Sequence, residues 1–259
     1  MTLRFSTGLR NFLMEGGSMK QAFAGGKLLI YSGAQPASAD DAVAGTLLAT
    51  ITSGSGAHTS EVRSAGSVDL TGGGSGSVDT LTVNSIEIMG SSTPFNTSLA
   101  QTAQDVCDKI NNNRKNMLFD AFVTATDVIN IRAKTGLGTL PNGWVVASTV
   151  TTITKTDANM AGGVDSVNGL LFGDSAAAIL VKRTDQVWSG LGVAAGTAGW
   201  FRFVSAIADA GAADSAEAFL RVDGNIATSG ANLNMTNTTV AIGATQTIST
   251  GTVTVPASV

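Results

Sequence analysis

Catalysis near neutral pH needs an acid, base or nucleophile held beside a partner. His58 is the one histidine of the chain, and histidine is the side chain whose ordinary titration falls in that range. It lies in a small, polar stretch over residues 52–67. No acid or nucleophile pattern surrounds it, so it reads as a solvated loop residue rather than a catalytic base. Cys107 is the one cysteine, which excludes an intrachain disulfide framework. It falls on an apolar stripe and reads as a small buried hydrophobe, not a thiolate. One histidine and one cysteine are too few for a zinc site. No Gly-x-Ser-x-Gly elbow is present to raise a serine nucleophile. Carboxylates gather at Asp40 and Asp41 and over residues 209–217, both in loop-like sequence where carboxylates are solvated.

Ligand-binding patterns are equally sparse. Residues 223–225 and 232–234 offer oxygens but lack the twelve-residue calcium-loop pattern, and turn formation explains them. Gly72, Gly73, Gly74 and Gly76 read as a flexible seam, because no strand-to-helix context makes them a phosphate cradle. Arg114 with Lys115, and Lys182 with Arg183, are the densest basic pairs. With a net charge of −4, nucleic-acid binding is not expected. Aromatic residues are 5% of the chain, with one tyrosine, which argues against a sugar- or base-stacking platform. The expected reading is a non-enzyme with no cofactor and no metal.

The elements that would position these residues are mostly strands. Hydrophobic residues are 43% of the 259, enough for a core. Charged residues are 13%, about half the usual share, which suits a protein packed into an assembly. No run approaches the roughly 20 apolar residues of a membrane span. The first residues also lack the unbroken apolar core of a signal peptide. Phe5, Leu9, Phe12 and Leu13 follow helical spacing, and Ser18 with Gln21 resembles a helix cap. Strands are expected at residues 27–31, 46–51, 118–124, 128–133, 144–150, 170–172, 178–181, 186–188, 199–204, 219–222, 232–240 and 245–255. Residues 78–88 suggest a hairpin turning at Asn84 and Ser85, and Asp223-Gly224 suggests another. Ser98 with Gln101 caps a helix whose apolar stripe is Leu99, Ala103, Val106, Cys107 and Ile110.

Glycine-rich stretches at 66–77 and 161–163 divide the chain. The expected fold class is mainly β, an antiparallel β-sandwich interrupted by an inserted small α+β domain. The expected organisation is an N-terminal arm at 1–25, a discontinuous sandwich at 26–65 plus 164–259, and a β-α-β-β-β insert at 66–163. Phe5, Phe12, Trp188, Trp200, Phe201 and Phe203 are the candidate core or subunit-interface residues. Along the 199–204 strand, Phe201 and Phe203 share one face, and Trp200, Arg202 and Val204 share the other.

Gly26-Lys-Leu-Leu-Ile-Tyr-Ser-Gly-Ala-Gln-Pro-Ala-Ser-Ala-Asp-Asp-Ala-Val-Ala-Gly-Thr-Leu-Leu48 resembles the N-terminal part of a family of tailed-bacteriophage virion proteins. Val187-Trp-Ser-Gly190, Ala195-Gly-Thr-Ala-Gly-Trp-Phe-Arg-Phe203 and residues 224–234 are similar to its second half. In the middle, residues 79–84, 94–100 and 141–143 resemble a module found in several phage structural proteins and missing from shorter family members. The resemblance implies a small β-sandwich in the neck, as a collar, or decorating or cementing the capsid. A tail-tube or minor tail protein is the alternative, and a host-surface glycan-binding module a more distant one. Expected partners are further copies in a symmetric assembly and other virion proteins (head–tail connector, capsid or tail). No nucleic acid or membrane partner is expected. The expected location is the virion, after synthesis in the bacterial cytoplasm.

Overall fold

A computed structural model of the chain describes residues 3–254. The fold is mainly β and built from antiparallel sheets, as expected. The chain forms two compact units: Met1–Glu61 with Ser166–Val259, and Val62–Asp165.

The first unit is organised by a sheet of nine strands among the described residues. Its order is Arg4–Phe5, Arg221–Ala227, Gly196–Val204, Lys27–Ser32, Leu47–Ser53, Trp188–Leu191 and Thr245–Ile248. Thr239–Val240 adds to Gly196–Val204, and Leu233–Asn234 adds in parallel to Arg221–Ala227. Alternation of side chains gives the sheet two buried faces. Phe201 and Phe203 lie opposite Ile30 and Leu28 and enter a core shared with Leu9, Phe12, Phe23, Phe172 and Trp188. Trp200 and Val204 pack on the other face with Leu29 and Tyr31. The register slips by one residue at Gly199, where a Cβ would lie 2.0 Å from the Gly33 carbonyl oxygen. Only glycine fits that bulge. Two short helices cross the N-terminal stretch, α1 at Thr7–Met14 and α2 at Met19–Phe23. The side chains of Ser6 and Ser18 accept hydrogen bonds from Leu9 and Gln21 and so cap them.

The second unit pairs one longer helix with two four-stranded sheets. The helix, α3, spans Leu99–Asn112 and starts at Ser98, whose Oγ accepts the Gln101 N–H. Its buried face is Thr102, Ala103, Val106, Cys107 and Ile110. One sheet runs Thr154–Ala161, Ala65–Gly72, Val128–Ala133, Phe119–Val123; the other is built on Val146–Thr151, Ser77–Val83 and Ile86–Glu87. Asn84 and Ser85 have φ of 50° and 65° and turn the hairpin expected there. Side chains close the free edge of Val146–Thr151. Asn159 Oδ1 accepts the Val146 N–H at 3.1 Å, and Asp157 accepts both the N–H and the hydroxyl of Ser148.

Several local expectations change. The glycine-rich stretch 66–77 is strand over much of its length: residues 66–72 are most of a strand paired on both sides, with Val68 and Leu70 fully buried, and 73–76 connect it to the next strand. Gly66 serves close packing there, since a Cβ would meet the Ala158 carbonyl at 2.8 Å. Residues 154–161, unassigned beyond Thr154 by pattern, form its neighbour. Asp223-Gly224 is not a hairpin turn; both residues lie inside the strand Arg221–Ala227. Residues 170–172 make isolated bridges only. The strand expected at 245–255 divides into Thr245–Ile248 and Thr252–Thr254, and its last residue lies outside the described residues.

Candidate functional site

The outer face of the large sheet carries a buried ionic layer. Arg202 and Asp223 are directly opposite on neighbouring strands. Their bidentate pair, with both bonds at 2.7 Å, is fully shielded from solvent. Arg221 forms a second bidentate pair with Asp209, at 2.7 and 2.6 Å. Each guanidinium also reaches a loop: Arg202 donates to the Asp41 carbonyl and Arg221 to the Ala39 carbonyl. Asp40 accepts the N–H and hydroxyl of Thr7. Asp214 accepts the N–H groups of Ala218 and Phe219. Of the carboxylates expected to be solvated, Asp209 ties its loop to the sheet through Arg221, Asp40 holds the start of α1 and Asp214 closes its own loop, whereas Asp41 and Glu217 are exposed. Burial pushes the Asp223 carboxyl up from the ordinary aspartate value, against the pull of Arg202, Arg221 and Arg4. Burial likewise raises the Tyr31 phenol, which stacks on Trp200 at 4.6 Å between centroids. These groups bond mainly to one another and to the loops that cover them.

His58 is half-buried rather than a solvated loop residue. Its Nε2 donates to the Gly25 carbonyl at 3.0 Å, and Nδ1 is buried without a hydrogen-bond partner. Burial is the main cause that lowers its pKa, so the ring is neutral at pH 7. The Cys107 thiol is buried against α3's apolar neighbours, and its pKa is pushed up to about 12. Among the described residues, no group of three or more His, Cys, Asp or Glu side chains is placed to hold a metal ion. No helix among them is long and apolar enough to cross a membrane.

The aromatic candidates converge instead on a hollow in the first unit. Phe5, Trp188, Phe201 and Phe203 line a space of about 490 Å³. Phe12 belongs to the same core cluster without lining the hollow. Trp200 lies apart, on the opposite face with Tyr31. No protein-family model, curated protein or solved structure matches the chain. The hollow must be read from its own chemistry. Pattern reading missed Phe23 and Phe172, which stack and tilt against Phe203 at 4.7 and 5.9 Å. It also missed Leu233 and Ile248, which close the rim. Phe172 ends the apolar run at 170–172 and Phe23 lies one helical turn from Met19, whereas Leu233 and Ile248 sit in sequence too polar to single them out.

A second space of about 400 Å³ adjoins the first, sharing Leu233, Asn234, Ile248 and Thr250. Together they form a seam between residues 233–237 and 245–250. It offers main-chain groups and neutral side chains.

Proposed function

We propose that this chain is a non-enzymatic structural protein of a tailed-bacteriophage particle, decorating or cementing the neck or the capsid through repeated subunit contacts. One observation carries the reading. The two stretches that resemble virion proteins, residues 26–48 and 187–203, are far apart in sequence yet supply adjacent strands of one sheet. Lys27–Ser32 lies between Leu47–Ser53 and Gly196–Val204, and Trp188–Leu191 pairs with Leu47–Ser53. The resembling segments thus form one physical unit, the one that would anchor to the particle. Low charge density agrees, because such a surface does not repel copies of itself.

A tail-tube subunit would need an arm free to reach the next ring. Here Leu9 and Phe12 of the N-terminal stretch are spent on the unit's own core, which favours collar or decoration. The test is mass spectrometry of purified particles, followed by labelling with an antibody to this chain. The reading expects the protein in the particle and label at the neck or capsid surface. Its absence from washed particles overturns the reading, and label along the tail selects the alternative.

A further inference from the structure

We infer that the edge strand Thr245–Ile248 is a strand-addition site at which a second copy of this chain pairs about a twofold axis. Among the described residues, Thr245–Ile248 is the last strand of the large sheet and pairs only with Trp188–Leu191. The Gly192 N–H donates to the Ala244 carbonyl at 2.9 Å, which sets the parity of that ladder. Exchange of bonds therefore falls on Gly190–Gln246 and Trp188–Ile248. The main-chain groups of Thr245 and Thr247 point outward, into the seam. Among the described residues, no main-chain hydrogen bond joins 245–250 to the opposite rim at 233–237.

Such an edge is a template for another strand unless something blocks it. The second unit blocks its own edge with Asp157 and Asn159. Thr245–Ile248 has no lysine, no proline, no inward charge and no bulge. Residues 224–259 contain no charged side chain at all. A charged incoming strand would lose its hydration here and meet no counter-ion. A second copy of the same neutral strand meets no such cost, and the geometry is self-complementary. Antiparallel pairing centred on Gln246 sets Thr245 against Thr247 of the second copy, and Thr247 against Thr245. Those are the residues whose groups face outward, so the bonds close in symmetric pairs.

This deepens the assembly reading and rests on it, and the two fail separately. Gln246→Cys places one thiol on the axis, where cross-strand Cα atoms approach within disulfide range. The native Cys107 is buried and does not compete. The inference expects light scattering to give twice the 26.1 kDa chain mass. It expects Gln246→Cys to form a covalent dimer under mild oxidation. Thr247→Pro, which removes an outward N–H while sparing the inner ladder, should weaken association about tenfold or more. Thr247→Lys, on an exposed side chain, should do the same and guards against a folding defect in the proline variant. Self-association that survives both Thr247 variants, or gives no disulfide at position 246, overturns the seam but leaves assembly standing. A monomer at every concentration overturns the strand pairing, whereas absence of the chain from washed particles overturns the assembly reading on which it rests.

Discussion

At the residue scale the informative groups are the buried ones. The Arg202–Asp223 pair has lost its water on both sides, and the geometry recovers it through two short bonds. Removing one partner leaves an uncompensated buried charge. Asp223→Ala should cost about 3–5 kcal/mol, read as a shift of the urea midpoint at constant slope. Replacing both, as Arg202→Met with Asp223→Leu, should cost much less than the single change, because no charge is stranded. His58 gives a cleaner titration, being the only imidazole. Its folded pKa lies below the ordinary 6.5 because burial disfavours the charged ring. The stability it contributes is therefore present above pH 6.5 and lost as pH falls through the folded value. An NMR titration that places its midpoint at or above 6.5 would contradict the buried placement. Cys107 should stay unmodified by a thiol reagent in the native protein and react fully in urea, since burial holds it as the neutral thiol. Rapid modification under native conditions would show that α3 does not pack as described.

At the element scale, the parts legible in sequence were those with a local cause. Lys27–Ser32, Phe119–Val123 and Val128–Ala133 carry β-branched or aromatic runs and form where patterning puts them, to within a residue or two. α3 begins at Ser98 because a side-chain oxygen there satisfies the Gln101 N–H. Ser98→Ala should destabilise the protein by about 1 kcal/mol, visible as a lowered melting temperature, with Ser98→Asp restoring most of it. What was not legible depended on distant partners. Ala65–Gly72 looks like a linker because glycine and serine pack poorly alone. It becomes a strand because Thr154–Ala161 and Val128–Ala133 bond it from both sides. Asp223-Gly224 has turn composition, yet pairing with Phe201 and Arg202 keeps it extended. Asp209 and Asp214 look like solvated loop acids until the sheet brings Arg221 and the backbone of residues 218–219 to them. The hollow was half legible. Its aromatic wall is marked by Phe5, Trp188, Phe201 and Phe203, whereas its rim sets Leu233 and Ile248 among threonine, asparagine and glycine, which single no position out.

At the scale of the whole molecule, the two units have separate means of support. The first buries Leu9, Phe23, Ile30, Phe201 and their neighbours in one core. The second buries Val68, Leu81, Val106, Phe119 and Ile131 in another, and no buried residue belongs to both. Each unit also closes its own ends. Thr59 and Val167 exchange two main-chain bonds, at 3.2 and 3.0 Å, within the first. Val62 and Val164 exchange two, at 3.0 and 2.8 Å, within the second. Joining Glu61 to Ser166 would leave Ser60, Glu61 and Ser166 to connect the paired Thr59 and Val167. That is an ordinary hairpin length, and two added glycines would relieve any strain in it. The shortened protein should therefore fold, show a β-type circular dichroism spectrum and unfold in one cooperative step. Residues 62–165 expressed alone should do the same. The full chain should then unfold in urea as the sum of two transitions whose midpoints match the separate pieces. If the shortened first unit is unfolded while the full chain is native, its core depends on residues 62–165. The second unit would then be an integral part of the first rather than an addition to it.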